Sequence, residues 1–172
     1  GLNETQKTQS VILKPKKPVN VSVSVNDSVS DNVNDYFKYI RENLGFSKEV
    51  LQDALEKSLN RLKTDYVDLY QLHWPERNSN FFGKRNYKHD VNEKWEDNFK
   101  EVIEVLDGFV KAGKIRHYGV SNETSWGLMK NLWEAEKHGL QRFETVQNNF
   151  SLINRRCENE LAQVCRQEGV SL

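Results

Sequence analysis

Residues 98–122, NFKEVIEVLDGFVKAGKIRHYGVSN, decide the fold. Phe99, Val102, Ile103, Leu106 and Val110 recur at intervals of three and four, which places them on one side of an α-helix from about Asn98 to Lys111. Gly113 is the residue type that accepts the backbone conformation of a helix end. KIRHYGVSN, residues 114–122, follows at once and predicts a strand, with Ile115, Tyr118 and Val120 as its β-forming residues. The fold depends on whether the flanking sequence repeats this helix-to-strand step.

It does, on both sides. Upstream, TDYVDLYQLHW, residues 64–74, is dense in β-formers from Tyr66 to Leu72 and is closed by Pro75. Before it, Ser47 is placed to cap a helix and Glu49 to complement the dipole of its first turn. Leu51, Leu55, Leu59 and Leu62 carry that helix from about Lys48 to Lys63. Downstream, a helix is predicted over Ser125–His138, with Leu128, Leu132 and Ala135 inward and Gly139 as its stop. A strand follows over Phe143–Asn148, then a helix over Asn154–Glu168 with Gly169 after it. Val170-Ser171-Leu172 begin another strand, and SVILK, residues 10–14, reads as a short buried one.

Strands alternating with helical crossovers mean a parallel sheet in an α/β fold. Two architectures fit: an open doubly wound sheet and a (β/α)8 barrel. No Gly-x-Gly-x-x-Gly opens any helix, which counts against a nucleotide-binding doubly wound sheet. Two segments stand outside the alternation. Residues 17–36 are rich in Val, Ser, Asn and Asp and poor in large apolar side chains, so they are expected to form a loosely ordered insertion, with an exposed edge hairpin as the alternative. Residues 75–96 are too long for a simple connection and carry Phe81, Phe82, Tyr87 and Trp95, the pattern of a binding loop.

Lys and Arg total 25 and so do Asp and Glu, so the chain is not one that grips nucleic acid through excess positive charge. No run of 18 apolar residues exists to span a membrane, and the amino end has no signal-peptide core. Cys157 and Cys165 lie eight residues apart on the predicted helix, about 12 Å, beyond the roughly 7 Å limit for a bridged pair. No Cys/His spacing suits a metal. A reducing, cytoplasmic compartment is expected, and the sequons at Asn20 and Asn26 carry little weight.

The functional signal sits at the strand ends. The first strand ends in His73, the second in Ser121-Asn122, the third in Gln147-Asn148. In parallel α/β folds the carboxyl ends of all strands share one rim, so these polar groups converge although they are far apart in the chain. Together they suit a carboxamide, a carbonyl or a phosphate. Each alone has an ordinary explanation: a structural histidine, or a turn with a helix cap.

YVDLYQLHWPERNSNFFGKRNY, GKIRHYGVSNET and TVQNNFSLINR resemble the aldo-keto reductases, and most closely the NADP(H)-dependent branch that is also similar to potassium-channel β subunits. Trp74-Pro75 and Asn80-Phe81-Phe82-Gly83 are especially like that branch. The resemblance covers about residues 47–172, with 17–46 foreign to it. It implies a (β/α)8 TIM barrel that binds NADPH without a glycine fingerprint and reduces small-molecule aldehydes or ketones. It places His73 beside the substrate carbonyl, and Ser121, Asn122 and Gln147 around the nicotinamide carboxamide. It places the family lysine at Lys16 in VILKPKK, with Lys14 as the competitor. In this chemistry a lysine beside a tyrosine lowers the phenol pKa from about 10, so that the tyrosine can give its proton to the carbonyl oxygen.

The resemblance also sets an expectation about completeness. The family Asp and Tyr precede the VILxxK-like strand, and the ten residues before it here contain neither. A full barrel needs about 250 residues, and about 200 at the least. The chain is therefore expected to be an incomplete reductase, holding roughly strands three to six and the start of the seventh, and inactive alone. The alternative is a non-catalytic, cofactor-binding regulatory subunit similar to potassium-channel β subunits. In that group the catalytic histidine is characteristically replaced, whereas His73 is retained here.

Overall fold

The computed structural model describes residues 45–79 and 87–172. Helix α1, Lys48–Leu62, is capped by Ser47, whose hydroxyl accepts from the Val50 amide, and ends where Lys63 takes a left-handed conformation. Strand β1, Val67–Leu72, follows. Helix α2, Phe99–Lys111, leads through Gly113 into β2, Ile115–Ser121. Helix α3, Ser125–His138, is capped by the Thr124 side chain and stopped by a left-handed Gly139, and β3, Thr145–Gln147, comes next. Helix α4, Leu161–Glu168, closes on Gly169. Ser171 then bridges to Thr145 in the parallel sense, so the terminal residues begin a further strand beside β3.

The strands lie in the order β1-β2-β3, all parallel, with each crossover made by a helix. Alternation along the strands sorts the residues. Tyr70, Leu72, Tyr118, Val120 and Val146 are buried in the core that the helices cover. Into it α1 sends Leu51, Leu55 and Leu59, α2 sends Val102, Ile103 and Leu106, and α3 sends Leu128, Leu132 and Ala135. The opposite sheet face carries Gln71, Gly119 and Thr145 side by side. Gln71 donates to the Thr145 hydroxyl at 2.9 Å across the intervening glycine. A Cβ on Gly119 would lie 2.0 Å from that hydroxyl and 2.7 Å from the Thr145 carbonyl, so only glycine lets the two side chains meet.

One predicted helix is shorter than its sequence suggests. Over 154–168 the structure has a 3-10 turn at Arg156–Glu158 and an α-helix only from Leu161. Ser151 and Asn154 exchange backbone hydrogen bonds, and the Ser151 hydroxyl also accepts from the Asn154 amide. Arg155 pairs with Glu158 across a single turn. Such local bonds compete with a helix start, and the Glu-Asn-Glu run at 158–160 offers no apolar side chain to repay the core. Cys157 is buried all the same, and both cysteines are free thiols.

Of the expected insertion at 17–46, only Gly45 and Phe46 are among the described residues; Phe46 packs against the core. The strand expected at 10–14, Lys14, Lys16, Phe81 and Phe82 also lie outside them. Among the described residues no helix is long and apolar enough to cross a membrane.

Candidate active site

The carboxyl ends of β1, β2 and β3 sit side by side because the strands are parallel and adjacent. Asn122 is the hinge of this rim. Its backbone is left-handed, with φ of 53°, a conformation asparagine tolerates better than most residues. Its amide N–H donates to the Gln147 carbonyl at 2.9 Å. Its side-chain nitrogen donates to the His73 carbonyl at 2.8 Å and to the Ser121 hydroxyl at 3.1 Å. Both hydrogens of that nitrogen are thus engaged, which leaves Oδ1 as an acceptor.

The structure therefore brings His73, Ser121, Asn122 and Gln147 together. Their availability differs. Ser121 is buried and its hydroxyl donates to the Gln147 carbonyl at 2.7 Å, so it retains acceptor capacity only. Gln147 gives its backbone to these bonds while its side chain is exposed. His73 is exposed on one side and its ring lies 4.3 Å from that of Trp74. Lys16 lies outside the described residues, so the structure does not place it relative to the rim.

Desolvation pushes the His73 pKa below the ordinary imidazole value. The neutral ring is then the form at pH 7, able to donate one N–H. The sign for stability follows. Below about pH 6.5 the unfolded chain takes up the proton before the folded one does. Stability is therefore expected to fall as pH drops from about 6.5 through the lowered native pKa, and His73→Gln to flatten that part of the profile. Urea midpoints at pH 7.5 and 5.5 measure it; an equal acid loss in the variant and the parent would contradict the assignment.

Three residues underlie the rim: Arg77 and Glu123, which sequence reasoning passed over, and Asn148, which it placed at the end of the third strand without a partner. Arg77, from the loop after β1, reaches Glu123, in the turn after β2. Nη1 donates to Oε2 at 3.1 Å, and Nη2 pairs with Oε1 and donates to the Thr124 hydroxyl at 3.1 Å. The two side chains are only 9% and 4% exposed. The guanidinium lies 5.4 Å from the Phe99 ring centre and 4.9 Å from that of Trp126. A Cβ on Gly127 would lie 2.1 Å from Nη2, so α3 approaches this pair as closely as a glycine allows. The third residue is Asn148, whose side chain accepts from the Glu123 amide at 3.0 Å and donates to the Glu123 carbonyl at 2.7 Å. Nothing local marks these partners: Arg77 and Glu123 are 46 positions apart. The one available signal was that both lie in the connections that follow strand carboxyl ends.

Behind the rim, a cavity of about 30 Å³ touches Trp74, Arg77, Phe99, Ser121 and Glu123. It has room for a water. Among the described residues no group of three or more His, Cys, Asp or Glu converges to hold a metal.

The sequence model of the aldo/keto reductase family matches residues 14–172. The chain belongs to the aldo-keto reductase family. This aldo-keto reductase chain is 45% identical over 140 residues to "Protein tas" of Escherichia coli, an alignment covering 78% of this chain and 39% of that protein. It is 32% identical over 136 residues to an aldo-keto reductase of Babesia bovis, covering 73% of this chain and 47% of that one. Among solved structures, the thermostable aldo-keto reductase Tm1743, crystallised with the inhibitor epalrestat, superposes with a TM-score of 0.56 at 27% identity. That match covers 73% of this chain and 38% of the other. The parallel strands and helices described here are thus consecutive units of a (β/α)8 barrel, and the chain spans less than half the length of these relatives. In barrels of this kind active sites lie at the carboxyl ends of the strands, the rim on which His73, Asn122 and Gln147 stand.

Proposed function

We propose that this chain supplies the nicotinamide and carbonyl half of an NADP(H)-dependent reductase of small aldehydes or ketones in the cytoplasm. One observation carries the reading: the left-handed Asn122, with both side-chain hydrogens held by His73 and Ser121, keeps Oδ1 as an open acceptor beside the exposed Gln147 amide. A carboxamide needs an acceptor for its N–H and a donor for its oxygen, and Asn122 and Gln147 offer one of each. Bound there, the reduced nicotinamide supplies a hydride. His73, neutral at pH 7, donates its N–H to the carbonyl oxygen on which charge develops. The preference for NADP(H) rests on the resemblance of the His73-Trp74-Pro75 region to that branch of the family.

The general acid is the part these strands do not offer. Tyr118 is fully buried and its hydroxyl donates to the Gln141 carbonyl. Tyr70 is buried, which pushes its pKa up to about 12. Tyr66 lies under the Arg116 guanidinium, before β1 begins, which leaves Tyr87, exposed in the long loop after β1, as the one stand-in among the described residues. Lys16 would serve a tyrosine contributed by flanking sequence. Turnover is therefore expected only when such sequence, with the family Asp and Tyr, is joined to this chain. The assay is NADPH oxidation with a reactive aldehyde, run on the 172-residue chain and on the polypeptide extended through its flanking coding sequence. The extended form should be faster by at least about 10²-fold, the scale of a positioned general acid. Full turnover by the short chain would refute its inactivity; no turnover by either form, with NADPH bound, would refute the reductase reading.

A further inference from the structure

Asn122 matters to the proposed site only while its backbone stays left-handed, a conformation that is unfavourable for a residue with a Cβ. The surrounding bonds over-determine it. Glu123, the next residue, is held at three points. Asn148 clamps its amide and its carbonyl from the end of β3. Arg77 takes both carboxylate oxygens from the loop after β1. The carboxylate also accepts from the Thr124 amide at 2.6 Å, which ties it to the start of α3. Three βα connections thus meet on one residue, immediately after the one that would face the cofactor. A buried ion pair is a weak source of net stability when compared with apolar packing of the same volume. Its geometry suits another purpose: a bidentate fork between two loops fixes distance and orientation together.

We propose that the Arg77–Glu123 pair and Asn148 are positioning residues of the nicotinamide half-site, locking the turn at Asn122 so that its Oδ1 meets the carboxamide. None of the three touches the cofactor; each acts through Asn122. The proposal rests on the carboxamide reading above, and its test separates the two.

The probes are nicotinamide mononucleotide and nicotinic acid mononucleotide, which differ in presenting a carboxamide or a carboxylate. Their dissociation constants are measured on the full 172-residue chain by saturation-transfer NMR titration. An acceptor at Asn122 Oδ1 favours the carboxamide, by about tenfold for one well-made hydrogen bond. Two variants probe the positioning. Arg77→Met/Glu123→Gln removes both charges at nearly constant volume, so neither partner is left as a buried lone charge. Asn148→Ala removes the backbone clamp and leaves the ion pair. Both should bring the preference to about onefold while cooperative unfolding persists. Hydrogen exchange at the Asn122 amide should quicken while that of Leu55 in α1 does not change. A preference that stays near tenfold in the folded variants, whatever their melting temperature, would reduce the three residues to structural ties and overturn the proposal. A parent chain that does not distinguish the two probes would overturn the carboxamide reading, and the proposal with it, irrespective of the variants.

Discussion

Arg77→Met is expected to destabilise the chain by about 3–5 kcal/mol. The substitution keeps most of the side-chain volume, so the contacts with Phe99 and Trp126 are largely retained. What it removes is the only cation among the described hydrogen-bond partners of Glu123, whose side chain is 4% exposed. A carboxylate left there keeps the bonds from Thr124 but loses its counter-charge, and its desolvation is no longer offset. The comparison is Lys57→Met. Lys57 pairs with Asp53 one helical turn away, with both side chains more than half exposed, and a pair of that kind contributes less than about 1 kcal/mol. Urea unfolding of both variants at pH 7 gives the two differences. A cost below about 1 kcal/mol for Arg77→Met would show that water reaches the pair and that it is not a buried one.

Leu106→Ala is expected to cost about 2–5 kcal/mol. Leu106 lies in the middle of α2, is 0% exposed, and belongs to the core between the helices and the sheet. Truncation removes apolar surface burial and leaves a cavity whose walls are held by α1, α3 and the parallel strands, so little of it can collapse. The neighbouring Val105 is only partly buried, and Val105→Ala should cost less than half as much. The same urea titrations measure both. Equal effects at the two positions would mean that α2 is rotated relative to the face described here.

Much of the architecture was legible because it rests on local rules. Leu51, Leu55 and Leu59 announced α1 by spacing alone, Ser47 capped it as its hydroxyl allows, and Gly139 and Gly169 stopped α3 and α4 in the left-handed conformation expected of them. The convergence of His73, Asn122 and Gln147 followed from parallel topology without any knowledge of their contacts. What was not legible depends on non-local partners. Cys157 spaces correctly with Leu161 and Cys165 for one continuous helix, yet the Ser151–Asn154 turn breaks it first. Asparagine tolerates the left-handed backbone at Asn122, but the bonds that hold it there come from Gln147, Asn148 and, through Glu123, from Arg77. A charged residue in a loop usually points to water, and nothing in the run Pro75-Glu76-Arg77 distinguishes the exception.

Gly119 has a consequence for which pairings the strands can adopt at all. Sliding β2 by one residue would carry Tyr118 and Val120 to the polar face of the sheet, and burial alone forbids that. Sliding it by two keeps every side chain on its proper face, so hydrophobic patterning offers no objection. Such a slip would set the Cβ of His117 or Ser121 between Gln71 and Thr145, where the glycine now leaves about 2 Å to the Thr145 hydroxyl. The missing side chain therefore acts as an index mark: of the alignments that burial tolerates, it admits the one that sets Ser121 level with Gln147 and brings the Asn122 side chain to the His73 carbonyl.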